Sequence, residues 1–262
     1  MSTALYPVSI DPITNGHLAI VNEARKGGFD KIVILVATNP DKINRYMFTA
    51  DERAVIAQEA VAHLGDAVQV DILRDGFAAD YAKKHNITTI IRGIRSVKDF
   101  EAEAAYADGI RQINPKLTVF NIFSPKETEL ISSSFLKDNI YGPRGWVALA
   151  RKFAPDATIK ALSIKYLRKQ WTKLTNKTEA DKTIDDLIVT YTAPDRHHHG
   201  VEHIIRGLDE IAEFSERVID NSDHTSSTLD PIRLTWFCHD CSCSGPSDMT
   251  HLKRKLKQLK YN

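Results

Sequence analysis

The chain has 262 residues, enough for one large domain or two ordinary ones. Its 35 basic and 34 acidic side chains leave a formal net charge of +1, so no global field favours nucleic acid as a partner, and 42% hydrophobic residues suffice for a core. No apolar run reaches membrane-spanning length and no signal-peptide pattern opens the chain, so a cytoplasmic protein with no membrane partner is expected.

Residues 4–10 predict a buried first strand, and Ile20, Val21 and Ala24 give the following segment helical spacing. Between them lies Asp11-Pro12-Ile13-Thr14-Asn15-Gly16-His17. Such a strand-to-helix turn can present backbone N–H groups to an anion, with the positive end of the helix dipole behind them. Thr14 and His17, three apart, then share a face. An ordinary Asn-Gly turn capping a structural helix explains this stretch equally well.

Residues 31–37 are apolar and β-branched, as a strand covered on both faces requires. Thr49 and Glu52 form a capping box, with Val55, Ile56, Ala60 and Val61 as the core-facing stripe behind it. Strands over 68–73, 88–91 and 117–123 alternate with helices over 77–85 and 99–113, and Ser132, Ser133 and Ser134 cap a further helix. The alternation predicts an α/β fold over residues 1–150, a Rossmann-like, doubly wound parallel five-stranded sheet. Ligands bind such sheets at the carboxyl ends of the strands. Thr14 and His17 follow the first strand, Asn39 and Lys42 the second, Arg92 and Arg95 the fourth, and the serines the fifth. Basic and hydroxyl groups gathered on one rim suit phosphate.

Residues 151–158 read as a linker broken by Pro155, and Ile164, Leu167, Trp171 and Leu174 begin a smaller, mainly α-helical unit over 160–262.

Five ordered motifs resemble bacterial phosphopantetheine adenylyltransferase: the turn from Asp11 to His17, Met47-Phe48-Thr49 with Glu52-Arg53, Ile91-Arg92-Gly93-Ile94-Arg95, Asp99-Phe100-Glu101-Ala102-Glu103, and Ile131 with the serine triplet. The resemblance covers roughly the first half. It implies a nucleotidyltransferase of coenzyme A biosynthesis that joins ATP to 4′-phosphopantetheine with Mg2+, giving dephospho-coenzyme A and pyrophosphate, and that forms a homo-oligomer. Transfer of this kind needs no general base, because the attacking phosphate is already an anion; it needs alignment and charge stabilisation.

By the resemblance, His17 donates to the α-phosphate, and Thr14 and Gly16 support the same oxygens from the turn. Lys42 sits near the attacking phosphate, and Arg92 holds the acceptor phosphate or neighbouring ATP oxygens. Gly93 lets the backbone approach the nucleotide, Ser9 contacts the acceptor phosphate, and Glu103 bonds on the nucleotide side. Ser132, Ser133 and Ser134 cap a helix facing the β- and γ-phosphates. Simpler roles are open to some neighbours: Arg95 paired with Glu101 on the surface, and Asp99 as a helix cap. Val8 and Ile110 depart from the family pattern, and residues 43–46 lengthen the loop after Lys42. These departures keep two alternatives in view, a different phosphorylated acceptor and a nucleotide-binding module without transfer.

In the second unit, the run from Asp195 to His203 is dense in metal-ligand types, with His199 and His203 four apart, and His239-Asp240 follows later. The arrangement resembles HD-type metal-dependent phosphohydrolases, which implies a divalent metal on His199, His203, His239 and Asp240 and a second hydrolytic activity. A histidine-rich turn without metal is the competing reading. Cys238, Cys241 and Cys243 suit either zinc or reduced thiols, and Leu252, Leu256 and Leu259 form a stripe on a basic C-terminal helix, either solvated or facing RNA or an acidic surface.

Overall fold

Strand β1 (Thr3–Val8) is buried at four consecutive positions, the pattern of a strand covered on both faces rather than alternating between core and water. The computed structural model that shows this describes residues 2–178, 181–193, 200–219 and 230–239. β1 pairs in parallel with β2 (Lys31–Val36) on one side and β4 (Thr89–Ile94) on the other; β3 (Val68–Ile72) and β5 (Thr118–Phe123) complete a parallel five-stranded sheet in the order β3-β2-β1-β4-β5. The expected doubly wound topology is therefore present, with its switch point between β1 and β4.

Helices cover both faces. α1 (Asn15–Lys26) buries the Ile20, Val21 and Ala24 stripe that its spacing predicts. Its close approach to β4 requires Gly93, where a Cβ would lie 3.0 Å from Ile20 Cγ1. α2 (Ala50–Val61) begins in the predicted capping box: Thr49 Oγ1 accepts from the Glu52 N–H and Glu52 Oε2 from the Thr49 N–H. It buries Ile56, Ala60 and Val61 of the predicted stripe together with Arg53 and Ala57, while Val55 is 63% exposed.

α3 (Ala78–Lys84) and α4 (Val97–Ile113) lie on the opposite face from α1, sharing a core with Leu5, Leu35 and Ile90. Ile110, one of the departures from the family pattern, is buried in that core. The cap of α4 is Ser96, whose Oγ accepts from the Asp99 N–H; Asp99, the expected cap, takes the Arg95 N–H instead. After β5, Ser132 Oγ caps α5 (Ser133–Phe135), which continues as a π turn over Leu136–Ile140.

The chain divides into two compact units, the first running to Tyr141 and taking in Ala148–Ile159, the second comprising Gly142–Val147 and the chain from Lys160. The expected linker is built into the first unit. Thr158 is fully buried and donates to the Ile13 carbonyl at 2.6 Å, and the Phe153 carbonyl accepts the Asn15 N–H at 2.9 Å. Pro155 stands just before a helix start, where its missing N–H costs nothing. The remaining elements are α6 (Trp146–Ala150), α7 (Asp156–Thr175), α8 (Lys182–Tyr191), α9 (Val201–Ile219) and α10 (Asp230–Cys238).

In the second unit, α7 buries Leu162, Tyr166, Leu167 and Trp171, a stripe offset from the predicted one, and the Trp171 ring meets Phe237 edge-on. α9 turns Val201, Ile204, Ile205 and Leu208 inward. Gly207 is required by α10: a Cβ there would fall 1.9 Å from Trp236 Cε2, and the indole N–H donates to the Ile204 carbonyl. Among the described residues no helix is long and apolar enough to cross a membrane.

Candidate active site

Two buried charged residues that sequence reasoning passed over organise the carboxyl rim. Asp11, 4% exposed, accepts the Met47 and Phe48 N–H groups, each at 2.9 Å, and forms an ion pair with Lys137. Lys137 Nζ also donates to the Arg45 carbonyl, so one carboxylate fastens the loop after β2 to the turn after β1. Arg53, 1% exposed, donates through Nη1 to the Ser9 and Ala37 carbonyls and through Nη2 to Thr38 Oγ1. Its guanidinium lies under the Tyr46 ring, 4.3 Å from the centroid. Arg53 satisfies carbonyls just past the ends of β1 and β2, where the ladder no longer can, and Asp11 satisfies N–H groups of the loop ahead of α2.

At the turn, His17 Nδ1 accepts the Thr14 N–H at 3.1 Å and lies 2.8 Å from Thr14 Oγ1. An N–H group can only donate, so Nδ1 is unprotonated and the neutral ring carries its proton on Nε2. Burial, and secondarily the positive charge of Arg95, push the imidazole pKa down to about 3. His17 is therefore a neutral hydrogen-bond donor at physiological pH. The expected crown of unpaired N–H groups is not present in full: Thr14 donates to His17, Asn15 to Phe153, and the His17 N–H to the Thr14 carbonyl.

Gly16 seats the turn against the serine segment. A Cβ at Gly16 would lie 2.7 Å from the Ile131 carbonyl oxygen, a backbone atom. Ser133 Oγ adds a hydrogen bond to the Pro12 carbonyl at 2.7 Å. The triplet thus divides its work, with Ser132 capping α5, Ser133 holding the turn and Ser134 exposed.

At the end of β4, Arg92 and Glu103 meet as a two-pronged pair, Nε to Oε2 at 2.5 Å and Nη2 to Oε1 at 2.6 Å, while Nη1 donates to the Pro7 carbonyl. Arg92 also lies over the Tyr106 ring, 4.5 Å from its centroid. Burial pulls its pKa down, but the Glu103 hydrogen bond and charge more than offset that and leave it raised. Three of the five guanidinium N–H groups are used in this frame, which leaves two for an anion. Burial also raises the neighbouring Tyr6 hydroxyl to about 12, keeping it protonated. Arg95 pairs with Asp99 at 3.6 Å rather than with Glu101.

Lys42 is exposed on a 3₁₀ turn (Pro40–Arg45) whose cap, Asn39, accepts the Asp41 N–H through its side chain. Ser9, half-buried, accepts a hydrogen bond from the Tyr46 hydroxyl at 3.3 Å. The rim therefore offers a neutral imidazole donor, two arginines, a lysine and hydroxyls. This set suits binding and aligning anions.

In the second unit, His203 Nε2 and His239 Nε2 face one another at 3.2 Å, and Trp236 stacks on the His239 ring at 4.0 Å. His199 and Asp240, the other expected ligands, lie outside the described residues, as do Cys241, Cys243 and the C-terminal leucine stripe. Among the described residues no group of three or more His, Cys, Asp or Glu side chains is placed to hold a metal ion.

A doubly wound parallel sheet with cationic and hydroxyl groups along its carboxyl rim is the layout of a nucleotidyltransferase. Residues 5–139, just over half of the chain, match the cytidylyltransferase-like family, and the chain belongs to it. It is also 32% identical over 166 residues to the phosphopantetheine adenylyltransferase of Chromobacterium violaceum, covering 63% of this chain and 98% of that protein. The N-terminal domain is accordingly phosphopantetheine-adenylyltransferase-like. Among solved structures, the lipopolysaccharide core biosynthesis protein from Thermoplasma volcanium is 20% identical with a TM-score of 0.37, over 48% of this chain and 98% of that one. A Plasmodium falciparum nicotinic acid mononucleotide adenylyltransferase is 15% identical with a TM-score of 0.46, over 63% of this chain and 95% of that one. These matches give no support to the expected HD-type fold of the C-terminal half.

Proposed function

We propose that the protein moves the adenylyl group of ATP to 4′-phosphopantetheine, giving dephospho-coenzyme A and pyrophosphate, as a cytoplasmic homo-oligomer. The observation that carries the reading is the His17 imidazole, fixed by the Thr14 N–H as a neutral Nε2 donor. Likeness along nearly the whole length of a phosphopantetheine adenylyltransferase supports the choice of acceptor.

In this reaction an oxygen of the acceptor phosphate attacks the α-phosphorus of ATP. A new P–O bond forms, the bond to the bridging α,β-oxygen breaks, and that oxygen leaves with pyrophosphate. The attacking oxygen carries no proton, so a donor serves where a base would not. His17 Nε2–H stabilises the charge on the α-phosphate oxygens, and Thr14 holds the ring in the tautomer that can donate. Lys42 and Ser9 meet the acceptor phosphate. Arg92, preset by Glu103, points its two remaining N–H groups at phosphate oxygens, and Ser134 completes the rim toward the β- and γ-phosphates. Mg2+ would be held by the phosphates of ATP, where it would neutralise part of their charge.

The test is a panel of 4′-phosphopantetheine, nicotinamide mononucleotide and a sugar phosphate with magnesium-ATP, read by pyrophosphate release. Release confined to 4′-phosphopantetheine is expected; release only with another acceptor would overturn the assignment. His17→Asn keeps an acceptor for the Thr14 N–H but removes the Nε2 donor. It should lower kcat by at least about a hundredfold with little change in ATP binding.

One observation favours a second reading for the C-terminal unit. The Trp236 carbonyl, 2.7 Å from His239 Nδ1, requires a proton there, which leaves the His239 Nε2 lone pair facing His203 Nε2. Two imidazole nitrogens so placed fit two positions on one divalent metal. Elemental analysis of the intact chain after zinc or manganese loading should find one ion, lost in His239→Ala. An empty wild-type chain would refute this.

A further inference from the structure

We propose that Tyr46 is a positioning residue that commits Ser9 to donating its proton, and so selects an acceptor bearing an unprotonated anionic oxygen; the role rests on the adenylyltransferase reading above. Tyr46 follows the Lys42 turn, and its ring is seated on Arg53 at 4.3 Å. Arg53 is itself fixed by the Ser9, Ala37 and Thr38 oxygens, so the ring stands on a platform spanning the carboxyl ends of β1 and β2. Its hydroxyl has two partners. The oxygen accepts the Asn39 N–H at 2.8 Å, and the O–H points to Ser9 Oγ at 3.3 Å.

That polarity has a chemical consequence. A serine oxygen that already accepts from Tyr46 has its own hydrogen left to donate, and an ionised phosphate is the partner that can only accept. A neutral hydroxyl at the same place gains less, because bonds to a charged acceptor are about twice as strong. The same tyrosine oxygen ties down Asn39, whose carbonyl receives the Lys42 N–H at 3.0 Å. One hydroxyl thereby sets both groups assigned to the acceptor phosphate, Ser9 directly and Lys42 through its turn.

Tyr46→Phe keeps the ring on Arg53 and removes the hydroxyl. With 4′-phosphopantetheine as the varied substrate, KM for the acceptor should rise roughly three- to tenfold, the worth of one hydrogen bond. KM for ATP and the thermal midpoint should hold. Ser9→Ala should raise the acceptor KM similarly, and adding Tyr46→Phe to it should bring a smaller further increase than Tyr46→Phe brings alone, the part that reaches Lys42 through its turn. An unchanged acceptor KM in an active Tyr46→Phe enzyme, a parallel rise in both KM values with a lowered midpoint, or full additivity with Ser9→Ala would each overturn the role alone. A wild-type enzyme that adenylylates no phosphorylated acceptor would overturn the activity, and the role with it.

Discussion

Removing the ammonium of Lys137 tests how the loop that carries Lys42 is held. The pair with Asp11 is largely out of water, with side-chain exposures of 15% for the lysine and 5% for the aspartate. Lys137→Met keeps a straight apolar stem and deletes the charge, leaving the Asp11 carboxylate with the Met47 and Phe48 N–H groups and the charge of Arg53, to which it is not hydrogen-bonded. Breaking one side of a buried pair costs about 3–5 kcal/mol. The two surviving bonds to Asp11 place the expected cost near the lower end, at ~3 kcal/mol.

A chain of two units need not unfold in one step, so a local measurement serves better than a melting curve. Native-state hydrogen exchange reads the Met47 and Phe48 amides directly. At 1.36 kcal/mol per decade their protection should fall on the order of a hundredfold, while Ile34 within β2 stays protected. A change of less than about fivefold, the range of an exposed pair, would show that Asp11 is satisfied without Lys137 and would refute the buried-clamp account.

Other consequences follow from single contacts. Because the folded pKa of His17 lies near 3 and the usual value is 6.5, the unfolded chain takes up a proton there that the folded chain refuses. Stability from this group is complete above pH 6.5 and falls on acidification toward pH 3, by up to about 1.4 kcal/mol per pH unit. Urea unfolding at pH 7.5, 6 and 5 should show a steeper acid loss for wild type than for His17→Asn; identical slopes would contradict the buried neutral ring. Gly16→Ala puts a Cβ 2.7 Å from the Ile131 carbonyl, so overpacking should cost about 1–3 kcal/mol and lower turnover. Full activity and stability would mean the turn can slide. In Gly207→Ala the new methyl overlaps the Trp236 ring, and red-shifted tryptophan emission is expected; an unchanged spectrum would count against the packing described.

The parallel sheet was legible because burial on two faces writes itself into consecutive apolar residues, as in β1 and β2. The Thr49–Glu52 box was legible for a related reason: both partners lie within one turn of helix. Long-range partners leave no such trace. Asp11 and Lys137 are 126 positions apart, and Arg53 is 44 from the Ser9 carbonyl it satisfies. Each reads locally as an ordinary surface charge, and only the topology reveals a buried one. Arg92 and Glu103 were both singled out, yet with separate tasks; the crossover from β4 to α4 makes them a single fork. The linker expectation failed at Thr158 because composition cannot show that its hydroxyl meets Ile13, 145 positions earlier. For Asp99 the competing cap, Ser96, stood three residues upstream in plain view.

The Asp11–Lys137 pair also sets an order of assembly during synthesis. Translation at about 5–20 residues per second delivers Lys137 on the order of ten seconds after Asp11 has been made. Through that interval β1, β2 and β3 can already associate, with Arg53 supplying the carbonyls of Ser9 and Ala37 from within the same early segment. The half-sheet is thus provided with its own cation from the start, whereas the turn bearing His17 waits for one that arrives later. The turn that carries His17 receives its remaining partners, Phe153 and Thr158, later still.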